Sequence, residues 1–126
     1  MPIEWTLSTD ARTVEAVWSG QVSADDWQRF IEDMRRSRLV GHPKLHDLSQ
    51  AAVNITPAQI RDLARFANEV ADDQALGPVA FVIDSAHTLE LVMQFDDGTA
   101  SSIRPIAMFP TRQLAIEWLD GMRSAP

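Results

Sequence analysis

The stretch KLHDLSQAAVNITPAQI, residues 44–60, decides how the rest of the chain is read. KLHDLS has the character of a short strand, and QAAVN reads as the connection that follows it. Thr56-Pro57 then opens a helix: threonine is a good N-cap, and proline suits the first helical position, where its missing N–H has no intrahelical partner to lose. A strand that passes through a loop into a capped helix sets an alternating strand–helix rhythm, and both flanks continue it.

Downstream, Ile60, Leu63, Ala67 and Val70 mark one face of the helix, with Phe66 beside them, and ADDQALGP breaks it. VAFVI (79–83) is a continuous apolar run of strand length, as expected for a strand buried on both faces. Ser85 caps the next segment, AHTLELVMQF. Its apolar residues fit two periods: Leu89, Leu91, Met93 and Phe95 alternate like a strand, while Leu89, Val92, Met93 and Phe95 fit a helical face. The alternation of strands with helices favours helix. DDGTASS is a polar loop and IRPIAMF a fifth strand, in which Pro105 points to an edge or a strand start. Thr111 caps a last helix with an apolar stripe of Leu114, Ala115, Trp118, Leu119 and Met122.

Upstream, Gly41 and Pro43 in GHP stop a helix that Ser23 caps, with Asp26 three residues on. Trp27, Phe30, Ile31 and Met34 form its stripe. Before it, IEWTL and TVEAVW alternate around the polar loop STDAR, which makes a hairpin with Ile3, Trp5 and Leu7 on one face and Val14, Ala16 and Trp18 together. The order is β-β-α-β-α-β-α-β-α. This predicts an α/β fold with a five-stranded mixed sheet: an antiparallel N-terminal hairpin and the remaining strands parallel, joined by right-handed crossovers. At 126 residues the expectation is one domain, 1–126.

The chain has no cysteine, which removes thiol catalysis, cysteine-ligated zinc, iron–sulfur clusters and disulfide scaffolds from consideration. MPIEWTLSTD has neither a basic start nor an apolar run, and no segment approaches the ~20 apolar residues that span a bilayer. A cytoplasmic protein without a membrane span is expected. Eleven Lys and Arg against eighteen Asp and Glu give a formal charge of −7, which opposes binding to nucleic acid or anionic lipid. Arg35, Arg36, Arg38 and Lys44 lie close in sequence but lack interleaved aromatics, and bases at a helix end complement its dipole.

No catalytic or metal constellation emerges. Pro43 forbids a helix between His42 and His46, and in extended chain they would stand roughly 13 Å apart. His46 and Asp47 are strand neighbours on opposite faces. Asp84, Ser85 and His87 have the residue types of a triad but none of the glycines of a nucleophile elbow, and Ser85 reads as a cap. The pairs Asp25-Asp26, Asp72-Asp73 and Asp96-Asp97 sit in polar turns beside helices. No glycine-rich phosphate loop is present, and no cofactor is expected.

LHDLSQAAVNITPAQI, GPVAFVID and IAMFPTRQLAIEWL together resemble the SpoIIAA-like or STAS domains, relatives of the bacterial anti-sigma-factor antagonists. In small bacterial SpoIIAA-like proteins a strand ends in Phe, a short turn follows, and a helix carries Ala-x-x-Trp-Leu; the matching residues are Phe109, Ala115, Trp118 and Leu119. The resemblance implies helices mainly on one face of the sheet. It also implies a non-enzymatic regulatory or protein-interaction module, with a protein partner or a second copy of the chain in a homodimer. In the antagonist branch Asp-Leu-Ser, here Asp47-Leu48-Ser49, leads to a phosphorylated hydroxyl at the next helix start, and the count places Thr56 there. Ile55 stands where those proteins have an acidic residue and Pro57 follows the threonine, departures that favour an ordinary cap.

With the helices on one side, and Val79, Phe81 and Ile83 assigned to it, the opposite surface is expected to hold Ala80, Val82, Arg104, Ile106 and Met108 with Lys44, His46 and Leu48. Such a surface, apolar at its middle and basic at its margins, would be an interface, with Ser49 and Asn54 beside Thr56, or a half-wet face partly covered by Trp5 and Trp18. A different class of function, the carrying or sensing of a small apolar ligand, would use Met34, Met93, Met108 and Met122 as an adaptable lining.

Overall fold

A computed structural model describes residues 2–9, 12–70, 77–99 and 105–124. The strands are β1 (Ile3–Leu7), β2 (Val14–Val22), β3 (Lys44–Val53), β4 (Val79–Val82) and β5 (Ile106–Phe109). The helices among the described residues are α1 (Ala24–Arg36), α2 (Pro57–Val70), α3 (Ala86–Gly98) and α4 (Arg112–Ser124). The sheet order is β1-β2-β3-β4-β5; β1 runs antiparallel to β2 and every later pair is parallel. This is the mixed α/β sheet expected from the sequence.

The placement of the helices follows from this order. Three successive parallel connections step one strand in the same direction, and connections of one hand then put their helices on one face. There α1, α2 and α3 bury Trp27, Phe30, Met34, Ile60, Leu63, Leu91, Val92 and Phe95 against Val14, Trp18, Leu48, Val79 and Phe81. After β5 no strand remains to be reached, and α4 covers the other face, packing Ala115 and Leu119 on Leu45, Ala80 and Val82.

Local chemistry sets the boundaries. Ser23 and Asp26 form a reciprocal capping box at the start of α1. Its end is a Schellman arrangement: Leu39 N–H bonds Met34 C=O at 2.9 Å and Arg38 N–H bonds Arg35 C=O at 3.2 Å, with Arg38 in the left-handed region at φ 60. The ambiguous segment at residue 86 is helix, capped by Ser85, whose Oγ accepts from Thr88 N–H. Its buried face is Thr88, Leu91, Val92 and Phe95, whereas Leu89 and Met93 are exposed. Pro105 lies just before β5, which is also an edge strand, so both positional preferences of proline are met.

Two expectations about β3 are corrected. The strand does not stop after Ser49; it continues through QAAV to Val53, paired with Ser19–Val22 of a longer β2. Beyond the ends of β1 and β4 these two strands project as a two-stranded ribbon. The register shifts where it begins: Val17 pairs with Asp47 but Ser19 pairs with Gln50, so Leu48 and Ser49 together face Trp18. Asp-Leu-Ser is therefore a β-bulge.

The second correction concerns faces. Register partners in a sheet share a face, and Lys44 pairs with Val79, His46 with Phe81, Val79 with Ile106 and Phe81 with Met108. Lys44, His46, Leu48, Ile106 and Met108 thus lie on the side of α1–α3, not opposite it; Trp5 and Trp18 are there too. Of the expected open surface, Ala80 and Val82 are opposite, under α4, and Arg104 lies outside the described residues. The parity expected for β3 and β5 is one residue out of phase with the register of the sheet, and such a slip inverts every side chain.

Candidate functional site

Buried polar groups on β3 tie the interior together. Lys44 is buried, and its Nζ donates to the carbonyls of Leu39, Val40 and His42 at 3.1, 2.8 and 2.9 Å. It ties the segment after α1 to the sheet. His46 is buried among aromatics: its ring stacks on Phe81 at 4.8 Å and meets Phe30 and Trp18 edge-on. Trp18 Nε1 donates to His46 Nδ1 at 3.0 Å, which places the imidazole proton on Nε2. Nothing in the sequence pairs these residues, which are 28 positions apart.

The passage from β3 to α2 is built differently. Asp47 Oδ1 accepts from Ser49 N–H at 3.0 Å and from Ser49 Oγ at 2.6 Å, satisfying the amide that the bulge removes from the ladder. The ribbon ends where Asn54 N–H bonds Val22 C=O at 2.9 Å, and Ile55 is buried as an anchor. Thr56 then caps α2: its Oγ1 accepts from Gln59 N–H at 3.2 Å while Gln59 Oε1 accepts from Thr56 N–H at 2.9 Å. Ser49, Asn54 and Thr56 are all exposed. The sequence suggested the threonine cap; the partner Gln59 is the second half of a capping box, three residues on.

A second tie reaches Asp47 from the other side. Arg112, the first residue of α4, pairs with Glu15 of β2 and lies 3.8 Å from Asp47 Oδ2. Asp47 therefore joins α4 on one oxygen and the bulge on the other.

The remaining candidates stay apart. Ser85 is a cap, Asp26 belongs to the capping box of α1, and Asp72-Asp73 lie outside the described residues. Among the described residues no group of three or more His, Asp or Glu side chains converges on a metal-sized site. No helix among them is long and apolar enough to cross a membrane. An apolar cavity of about 50 Å³ lies beneath α1–α3, lined by Trp27, Phe30, Met34, His46, Phe81 and Phe95 among others. Of the four methionines expected to line a pocket, Met34 lines this cavity and Met93 is exposed.

Comparison with protein-family models gives no match, and comparison with curated protein sequences gives none either. Solved structures do match. A DUF3478-family protein with a SpoIIAA-like fold from Shewanella loihica PV-4 is similar at a TM-score of 0.61 and 13% identity, covering 93% of this chain and 91% of that one. The anti-sigma factor antagonist SpoIIAA in its unphosphorylated form is similar at a TM-score of 0.55 and 17% identity, covering 98% and 99%. The chain has a SpoIIAA-like fold.

Proposed function

We propose that residues 1–126 form one domain that works without catalysis, as a cytoplasmic regulatory module that binds a protein partner at the β3–α2 passage. The observation that carries this reading is the exposure of Ser49, Asn54 and Thr56 along a backbone that is otherwise pinned. The bulge is tied to Asp47, Asn54 is bonded to Val22, Ile55 is buried and Thr56 caps α2. A pre-ordered polar surface binds with little ordering cost. The similarity to an anti-sigma factor antagonist supports a protein as the partner, by analogy of fold. Thr56 is the proposed point of modification: a phosphate there would meet the dipole of the α2 N-terminus and take over the Gln59 amide that Thr56 Oγ1 now accepts from, Pro57 having no N–H to offer.

A second reading, carriage of a small apolar ligand, has the cavity beneath α1–α3 in its favour. At about 50 Å³ it admits a guest of a few atoms, whereas sites for larger organic ligands run to roughly 300–1,000 Å³.

Native mass spectrometry of the chain purified from its own host, beside its denatured mass, tests the proposal. A protein complex, or a denatured mass raised by one phosphate mapped to Thr56, supports it. A small ligand lost on denaturation moves the reading to the carrier, and a bare unmodified monomer removes support from both.

A further inference from the structure

We infer that α4 is a latch whose docking is coupled to the β3–α2 passage through the Asp47 carboxylate. Among the described residues the helix is held by apolar packing and by charge. Ala115 and Leu119 pack on Leu45, Ala80 and Val82 in a cluster of their own, separate from the core under α1–α3. Arg112 supplies the other hold, pairing with Glu15 and with Asp47 Oδ2 at 3.8 Å, and its side chain is 42% exposed, open to water and salt. One flank is loosely filled: a groove of about 190 Å³ separates Ile116, Leu119 and Asp120 of α4 from Ser8, Thr13 and Glu15 of the hairpin.

Asp47 cannot respond to α4 alone. Its Oδ1 holds both the amide and the hydroxyl of Ser49, and Ser49 is half of the bulge from which the ribbon runs to Asn54. When Arg112 leaves, the carboxylate loses the charge that orients it, and the bulge loses a fixed acceptor. Coupling of this kind is reciprocal, so a ligand that orders the bulge tightens α4, and one that lifts α4 loosens the bulge. The inference gives a regulation to the surface proposed above as the partner's. It is measured in the free chain, so it stands or falls separately from whether that surface binds anything.

Amide hydrogen exchange on the full chain tests it, with Arg112→Gln removing the ion pairs and Leu119→Ala removing the apolar anchor without touching Asp47. In both variants α4 amides and those of residues 49–54 exchange faster, while Leu63, Ala64 and Ala67 in α2 keep their rates. For Arg112→Gln the increase is roughly twofold to fivefold, the change in opening equilibrium that a surface ion pair supplies. Faster exchange in α4 with residues 49–54 unchanged overturns the coupling. Equal acceleration everywhere, α2 included, overturns the latch, because α4 would then open only with the whole domain. No change in α4 in either variant overturns both.

Discussion

Trp18 Nε1 and His46 Nδ1 meet at 3.0 Å between neighbouring strands, both side chains buried beneath α1–α3. The bond fixes the tilt of an aromatic cluster in which Trp27 lies 5.1 Å from Trp18 and 4.4 Å from Phe95, and His46 lies 4.8 Å from Phe81. Trp18→Phe removes the donor and part of a fully buried ring. Urea unfolding is expected to show a loss of about 2–4 kcal/mol, from the orphaned acceptor and the cavity together. Trp18→Phe with His46→Leu is expected to cost less than the sum of the two single changes, because neither partner is then left unpaired.

Arg38 sits at φ 60 where the end of α1 needs a left-handed residue. Glycine reaches this region without a Cβ clash, at the cost of a freer unfolded chain. Arg38→Gly is expected to raise stability by about 0.5–1 kcal/mol. Thermal unfolding reads this as a shift of a few degrees upward.

Gly77 runs against the loop after α1: an added Cβ would meet Gly41 O and the carbonyl C and O of His42 at 2.6 Å. These are backbone atoms of the segment that Lys44 holds through three carbonyls, so they cannot swing aside as a flexible side chain would. Gly77→Ala is expected to destabilise by about 1–3 kcal/mol, measured by urea unfolding.

Thr56 separates cap from switch. Thr56→Ala is expected to lose about 1 kcal/mol of stability, whereas Thr56→Asp keeps a capping oxygen and favours the helix dipole, leaving stability within about 0.5 kcal/mol of wild type. If Thr56 is modified to control binding, Thr56→Asp alters partner affinity while the urea midpoint stays in place. Equal affinity for wild type and both variants would leave Thr56 as a cap alone.

Much of the fold could be read from residues whose effects are local. Thr56-Pro57, Ser23 with Asp26, and Ser85 each start a helix because a side-chain oxygen meets an amide two or three residues on, a relation contained in the sequence itself. Pro105 marks the start of edge strand β5 through another local property, its missing N–H. The faces of β3 and β5 could not be read this way. KLHDL is bounded by apolar contacts on both sides, with Leu45 under α4 and His46 under α1–α3, so alternation carries no sign of which set faces which layer. The polar identity of Lys44 and His46 points to an open face, whereas the burial of Lys44 depends on how the loop before it folds back its carbonyls and that of His46 on an indole 28 positions away. The bulge was hidden too, since a register shift exists only between two strands. Ser49, Asn54 and Thr56 are close in sequence, but their common exposure beside a pinned ribbon is a property of the pairing with β2.

The central claim is that the β3–α2 passage is where this chain meets a protein partner. Site-specific photo-crosslinking in the native host tests it most directly, with the crosslinker placed at Asn54 and, as a reference, at exposed Glu117 on α4. The account predicts one discrete protein adduct from Asn54, competed away by unlabelled chain, and none from Glu117. Equal labelling from both positions, or no protein adduct from Asn54, would contradict it.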